Sequence, residues 1–321
     1  MKNNKTLKIA CGLLVMVLLT TCVISTTLAR YTTSDTASDT ARVAKWGVEV
    51  STSGTLFGNS YTDNIVAVND AGLSVQSYNQ TDDIVAPGTQ NSTGFQIKLS
   101  GQPEVDFKVE ASAANVRDIY LAAGNYGSMV LQTGLNHSSV VEGLYTLTGN
   151  TYTKVAAGTA WDPGTAYYKL HDYVEVATDY YPIAWCGKLV QGTNTYETNY
   201  TSLNNAVNGD GASIYGVVDY INGYNTLGGT ESVYQTNHIL NDTYTITWAW
   251  AIDGQNNLAD TTLGNLIAGK TNVVSVAAGG TSATALVIAN NYVYVGTVNE
   301  TNLTGSLEVR CDITVTATQV D

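Results

Sequence analysis

Alternating apolar and polar residues dominate the chain and predict a protein built mainly from β-strands. The alternation is clearest in residues 95–99, 105–111, 244–252 and 307–317. Such period-two patterns are typical of strands that bury one face. The short link Gly101-Gln102-Pro103 predicts that the first two segments form a hairpin. The third carries Tyr244, Trp248 and Trp250 on one face, so we expect it to lie centrally in a sheet.

Helical spacing is confined to two short segments. Residues 201–224 place apolar side chains at three- and four-residue intervals, and Gly209 and Gly211 are expected to divide them into two helices. Asp260 is the predicted N-cap of another short helix, because aspartate favours that position.

A tyrosine-rich insertion is predicted at about residues 140–178. Its two halves resemble each other and are separated by a Trp-Asp-Pro-Gly turn. The corresponding residues are Tyr145 and Tyr168, Tyr152 and Tyr173, and Val155 and Val176. Two short strand pairs are not stable alone in water. We therefore expect a β-hairpin module that packs against a main body of residues 51–321.

The N-terminus has the pattern of a secretory signal peptide. Three lysines precede an apolar run at residues 9–24, and small residues lead to a predicted cleavage between Ala29 and Arg30. Two alternatives remain open: an uncleaved anchor, or a lipoprotein attached at Cys22. Residues 1–29 are accordingly the predicted leader. Residues 30–41 are polar and are predicted to be extended, or disordered when alone, and from Arg42 the alternation of a strand begins.

Composition and charge exclude several protein classes. Only 13% of residues are charged, with 14 basic and 27 acidic side chains, which gives a formal charge of −13. Nucleic acid is not expected as a partner, because phosphate binding requires clustered Lys and Arg. The abundance of threonine and tyrosine favours strands over a helical bundle.

Cys186 and Cys311 are the cysteines left after the predicted cleavage. In an exported protein an even number suggests a disulfide. Two buried thiols that pack as small apolar side chains are the alternative.

No catalytic, cofactor-binding or metal-binding residue is predicted. His137, His171 and His238 are too far apart in sequence for a helix-borne zinc site, and each is expected in a surface loop or turn. Calcium is a weaker candidate, in the loops 253–257 and 208–211, although turn chemistry explains both equally well. Exposed tyrosines could stack on sugars, or else pack between strands; the candidates are Tyr167, Tyr168, Tyr173, Tyr180 and Tyr181.

Several segments resemble the TasA/camelysin family of Gram-positive bacteria, whose leaders are cleaved by a SipW-type signal peptidase. The N-terminal part of the resemblance lies in residues 28–32 and 41–48, and shorter parts are Ala86-Pro87-Gly88, 180–183, 247–250 and 260–264. The insertion makes this chain longer than typical members. The resemblance implies an exported jelly-roll β-sandwich, with short helices, that acts in the extracellular matrix or at the cell surface.

The resemblance further implies a subunit of biofilm matrix fibres. The freed N-terminal segment of one copy would then add as a strand to the next, in a contact that does not close and so forms filaments. The predicted donor strand comprises Val43, Ala44, Trp46, Val48 and Val50. Its partners would be the chain itself, the signal peptidase and matrix polysaccharide. The alternatives are pairing within its own sheet, a monomeric surface adhesin or glycan-binding module, and a camelysin-type metallopeptidase that lacks the HExxH motif.

Overall fold

Antiparallel strands form most of the computed structural model, which describes residues 13–14, 44–61, 75–210, 216–224, 240–251, 257–297 and 302–319. The strands are β1 (Val48–Ser53), β2 (Ser60–Tyr61), β3 (Val75–Gln76), β4 (Gln90–Gly101), β5 (Phe107–Arg117), β6 (Tyr120–Leu121), β7 (Gly124–Leu131), β8 (Leu144–Thr148), β9 (Thr151–Lys154), β10 (Tyr167–Val176), β11 (Ala184–Gln191), β12 (Asn194–Tyr200), β13 (Leu240–Ala249), β14 (Val273–Val276), β15 (Ser282–Ala289), β16 (Tyr292–Val295), β17 (Leu303–Ser306) and β18 (Arg310–Gln319). Three short helices accompany them: α1 (Leu203–Asn208), α2 (Val217–Tyr224) and α3 (Asn257–Ile267). The prediction of a mainly β, antiparallel protein is confirmed.

The first sheet has five strands in the order β1-β4-β13-β11-β12. Strand β13 lies at its centre, as its aromatic row predicts. Tyr244, Ile246 and Trp248 are almost fully buried and face the main core. Burial of these large side chains fixes which face of the strand points toward the core. A shift of one residue in the pairing register would expose all of them.

Strands β4 and β5 do not form the predicted hairpin. Strand β4 pairs with β1 and β13, whereas β5 pairs with β18 in a separate two-stranded sheet. The apolar rows of both strands, with Leu99 on β4 and Phe107 on β5, face the same core from two layers. The link between them therefore crosses from one layer to the other. Backbone and side-chain bonds between Lys45 and Glu104 hold it in place.

The predicted donor strand lies in its own sheet. Strand β1 pairs with β4 from Val48 opposite Gly101 onwards, at the edge of the five-stranded sheet. Gly47, at φ +61°, passes so close to Gly101 that a Cβ on Gly101 would overlap the Gly47 carbonyl. Trp46 contacts Phe107 edge-to-face at 6.5 Å. The apolar row is thus directed inward as predicted, but its partner is the same chain.

The predicted insertion is built into a closed barrel. Its strands β8, β9 and β10 join β7, β14 and β15 in the ring β7-β10-β8-β9-β15-β14, which closes where β14 pairs with β7. Side chains fill the barrel, among them Met129, Tyr145 and Tyr152. The β8–β9 hairpin forms as expected. It is not a separate module, however, because β8 also pairs with β10 and β9 also pairs with β15.

Helices α1 and α2 confirm the prediction of two helices interrupted near Gly209. Ser202 caps α1 by accepting a hydrogen bond from the Asn205 amide, and Gly209 ends the helix at φ +88°. The N-cap prediction for Asp260 is wrong, because α3 begins three residues earlier, at Asn257. Asp260 instead accepts hydrogen bonds from the Tyr180 hydroxyl at 2.7 Å and from the Trp250 indole at 3.2 Å. Among the described residues, none of the helices is long and apolar enough to span a membrane.

Candidate functional site

One edge of the β5–β18 sheet is covered by a side chain. Asn222 of α2 accepts a hydrogen bond from the Ala111 amide and donates one to the Ala111 carbonyl, both at 2.9 Å. These backbone groups of Ala111 therefore point away from β18. In an antiparallel ladder this identifies Ala111 and Val315, which lie opposite each other, as a non-hydrogen-bonded pair.

The other edge of the sheet is formed by β18. By the same alternation, the backbone N–H and C=O groups of Ile313, Val315 and Ala317 point away from β5. In the described part of the chain, β5 is the strand with which β18 pairs. The side chains of the same three residues form an apolar row that is only half-buried against the core. The β18 edge thus combines outward backbone groups with an incompletely covered apolar face.

The structure describes four of the five predicted donor residues, and these belong to the segment that contains β1. Trp46, Val48 and Val50 pack against the core, and β1 contacts β18 as well as pairing with β4. Ala44 is half-buried at the start of the described segment. The predicted cleavage site at Ala29 and Arg30, and Val43, lie outside the described residues.

The two cysteines are free thiols and form no disulfide, and the alternative of a thiol packed as a small apolar side chain describes Cys311 but not Cys186. Cys186 points away from the core, where its thiol donates to the Glu197 carboxylate at 3.5 Å. Cys311 belongs to the inward row of β18. Side chains that leave their sheets toward different surroundings cannot be bridged without moving the backbone. Burial raises the pKa of both thiols, that of Cys311 to about 11.

A cleft of about 650 Å³, here called the Asp118 cleft, lies where β5, β6, α1, β16 and β17 meet. Its lining is mixed aromatic and polar, and includes Val116, Arg117, Asp118, Tyr120, Tyr181, Thr201, Ser202, Asn204, Asn205, Tyr292, Leu303 and Ser306. Pockets with a few convergent polar groups on an otherwise packed surface are typical ligand sites.

Asp118 is the most unusual residue of this cleft. Its Oδ2 atom accepts from the Leu203 amide at 2.7 Å and from the Trp185 indole at 3.0 Å. Its Oδ1 atom is buried and has no hydrogen-bond partner; no other buried side-chain nitrogen or oxygen in the described ranges shares that condition. Burial raises the pKa of Asp118 to about 6, against the effect of the bonds from Leu203 and Trp185. The Ile119 amide also lowers this pKa, but its geometry falls short of a hydrogen bond to Oδ1.

Aromatic rings and one cation surround the carboxylate. Tyr120 and Tyr181 are stacked, with ring centroids 5.3 Å apart and an interplanar angle of 23°. The Arg117 guanidinium lies 5.1 Å from the centroid of the Tyr292 ring and bonds to Glu308 at 2.7 Å. The positive charge of Arg117 is thus already paired, and its ion pair holds the pKa of Glu308 below the usual range.

The five candidate tyrosines have different environments. Tyr167 is buried and stacked on Trp161, Tyr168 contacts Tyr152 edge-to-face, and Tyr180 bonds to Asp260. Tyr173 is 48% exposed on β10. Tyr181 alone of the five lines the Asp118 cleft. Cross-strand and core packing therefore accounts for three of them.

The histidines that were weighed as zinc ligands form no cluster in the described residues. His137 and His171 are both exposed, the latter on β10 and not in a loop, and His238 lies outside the described residues. No group of three His, Cys, Asp or Glu side chains in the described ranges is close enough to hold a metal ion. Residues 253–256 of the first calcium candidate are not described. In the second, Gly209 ends α1 and donates to the Asn205 carbonyl, as turn chemistry requires.

A larger cavity, of about 790 Å³, opens at one end of the barrel. Its rim carries four exposed apolar side chains, Val130, Leu131, Leu147 and Ile288. Apolar rims of this kind are covered in many proteins by another surface. The orphaned carboxylate oxygen belongs to the Asp118 cleft, which therefore carries the more specific chemistry.

Neither a family model, nor a curated protein, nor a solved structure matches this chain.

Proposed function

We propose that this chain is an exported structural protein that assembles by strand addition into an extracellular or cell-surface fibre. The observation that carries the proposal is the β18 edge, ten residues long and half-covered on its apolar face. An open edge of this length is a template for another strand. An added strand would bond to the outward backbone groups of Ile313, Val315 and Ala317.

The proposed donor is the segment 30–43 of a neighbouring copy. Because Val48 and Val50 already pair with β4, the donated part has to precede β1. The proposed donor therefore keeps only Val43 of the donor strand predicted from sequence. Residues 32, 34, 36, 38 and 40 are all Ser or Thr, and the outward row of β18 carries Thr314, Thr316 and Thr318. Cross-strand Ser and Thr pairs stabilise sheets.

The length of this segment suits the edge. Fourteen extended residues span about 46 Å at about 3.3 Å each, and the ten residues of β18 span about 33 Å. Strand β1 contacts β18, so residues 48–53 of a subunit lie close to its own β5–β18 sheet. Transfer to a second copy gives a contact that does not close on itself, and repeated contacts of this type form filaments. The proposal includes secretion by the predicted leader and a jelly-roll arrangement of the two facing sheets.

The experiment compares residues 30–321 with residues 44–321 by negative-stain microscopy and sedimentation. We expect fibres from the longer protein and a cooperatively folded monomer from the shorter one. A synthetic peptide of residues 30–43 should bind the shorter protein, with one peptide per chain.

A pair of substitutions on β18 tests the edge itself. Ala317→Pro removes an outward N–H without breaking a bond to β5, and proline is tolerated at such edge positions. Ala317→Val keeps the N–H and serves as the matched control. Fibres should be lost only with proline, while both variants melt cooperatively. Fibres that form equally well from residues 44–321 would show that residues 30–43 are not the donor strand. Dispersed particles from residues 30–321 at high concentration would replace the fibre with a monomeric surface adhesin.

A further inference from the structure

We propose that the Asp118 cleft binds a neutral saccharide unit through the unpartnered oxygen of Asp118 and the tyrosines beside it. This inference is independent of strand addition, since the cleft and the β18 edge are formed by different residues. It assigns a ligand class to a site for which the sequence offers only Tyr181 as a candidate.

The carboxylate of Asp118 is held in one orientation with one oxygen unused. The Leu203 amide of α1 and the Trp185 indole of β11 both donate to Oδ2, so rotating the group would break two bonds. Asp118 is only 9% exposed. An ionised carboxylate is an acceptor only, and leaving a buried acceptor without a donor is costly. Oδ1 exposes almost no surface, so a ligand that brings it an O–H or N–H group has to displace the side chains that cover it. The hydrogen bond gained by a buried acceptor favours that exchange.

The walls of the cleft favour a ligand that also has an apolar face. The stacked rings of Tyr120 and Tyr181, together with the ring of Tyr292, provide flat apolar surfaces with polar hydroxyl ends. Ser202, Asn204 and Asn205 add hydroxyl and amide groups on the α1 side. Sugars combine the two properties, since their hydroxyl groups form a polar rim and their C–H groups form apolar faces.

Ligands of other classes fit less well. An anion would face the buried carboxylate of Asp118, and the nearby cation Arg117 is already paired with Glu308. A metal ion would find a single carboxylate and a guanidinium, and the described residues contain no group of three ligating side chains. A purely apolar ligand would leave Oδ1 without a donor. A neutral polyhydroxyl compound is the class that avoids all three conflicts.

The experiment titrates the processed protein, residues 30–321, with glucose, galactose, mannose and N-acetylglucosamine and with β-linked disaccharides of each. Saturation-transfer NMR reports which sugar protons contact aromatic rings, and calorimetry gives the affinity. Repeating the titration with Ala317→Pro separates sugar binding from assembly. We expect at least one of these sugars to bind both proteins alike and to show transfer to its ring C–H protons.

Three variants localise the binding. Asp118→Asn can keep an oxygen toward Leu203 and Trp185 while it replaces the free acceptor with a donor, so affinity should fall at least tenfold with the fold retained. Tyr181→Ala removes one stacked ring and should weaken binding to a similar degree. Tyr173→Ala, an exposed tyrosine outside the cleft, is the control and should bind as the wild type does.

The proposal is overturned if none of the sugars binds, or if Asp118→Asn and Tyr181→Ala both retain wild-type affinity. Binding of calcium or inorganic phosphate in competition with the sugars would also overturn it, because either ion would show that the cleft selects charge. If Asp118→Asn fails to fold, Tyr181→Ala against Tyr173→Ala decides the outcome.

Discussion

The side chain of Asn222 occupies the hydrogen-bonding position of a neighbouring strand at Ala111, with Nδ2 bonded to the carbonyl and Oδ1 to the amide at 2.9 Å each. A helix therefore protects one edge of a two-stranded sheet, and β18 forms the other edge. Because Asn222 covers one edge and the other edge is open, strand addition is proposed at β18.

Replacing Asn222 by alanine should destabilise the fold by about 1–2 kcal/mol, because both backbone groups of Ala111 lose their partner. Chemical denaturation measures the change. Asn199→Ala, an exposed amide on β12, is the matched control and should alter stability by less than about 0.5 kcal/mol. Equal effects at the two positions would contradict the proposed capping of β5.

Asp118 should make stability depend on pH in a direction opposite to most carboxylates. Burial raises its pKa from 3.8 to about 6, so the folded state binds this proton more tightly than the unfolded state does. The contribution is fully present below pH 4 and is lost as pH rises through 6, a total of about 3 kcal/mol.

Denaturation of the wild type and Asp118→Asn at pH 4, 5, 6 and 7 isolates this effect, because the other acidic groups titrate alike in both proteins. The stability of the variant relative to the wild type should rise steadily across this range. A difference that stays constant from pH 4 to 7 would show that Asp118 has an ordinary pKa.

Cys186 and Cys311 should react slowly with iodoacetamide in the folded protein. The thiolate is the reactive form, and burial raises the pKa of Cys311 to about 11. At pH 8 its thiolate fraction is on the order of a hundredfold below that of an ordinary cysteine. For residues 30–321, mass spectrometry should find both cysteines alkylated after unfolding in guanidinium without reductant. A peptide pair linked through these two cysteines would refute the free-thiol structure.

Tyr180→Phe should destabilise the contact between the β10–β11 loop and α3. The Tyr180 hydroxyl and the Trp250 indole both donate to Asp260 Oδ1 and both lower the pKa of Asp260, which burial raises. Loss of the hydroxyl should cost about 1–2 kcal/mol at pH 7. The cost should shrink toward pH 4, because a protonated Asp260 needs the donor less. Tyr173→Phe is the control, and a similar loss there would remove the explanation.

Local patterns were sufficient for individual elements of the fold. The alternation around Trp248 identifies β13 and its buried face, and Gly209 marks the end of α1. These features depend on residues close in sequence, where periodicity and backbone conformation are informative.

Pairing between distant strands was not predictable from the same patterns. The alternation in β4 and β5 fits a hairpin as well as two facing sheets, since either arrangement buries the same side chains. Closure of the barrel depends on β14 pairing with β7 and β15. Nothing in the four residues of β14 specifies partners on both sides.

The Asp118 cleft illustrates why sites of this kind escape sequence reasoning. A single acidic residue between Arg117 and Ile119 matches no spaced motif, and its donors Trp185 and Leu203 lie 67 and 85 positions away. The available signal is weak: one carboxylate at the end of a strand that is otherwise apolar on its inner face.

Ring closure has a consequence for how this protein could diversify. Every strand of the barrel has a hydrogen-bonded neighbour on both sides, so the closed ring has no edge strand of its own to offer as a joint between subunits. In a polymer each subunit would carry this barrel outside the contacts between subunits. Its outer surface could then change from one lineage to another while the connection between neighbours stays the same.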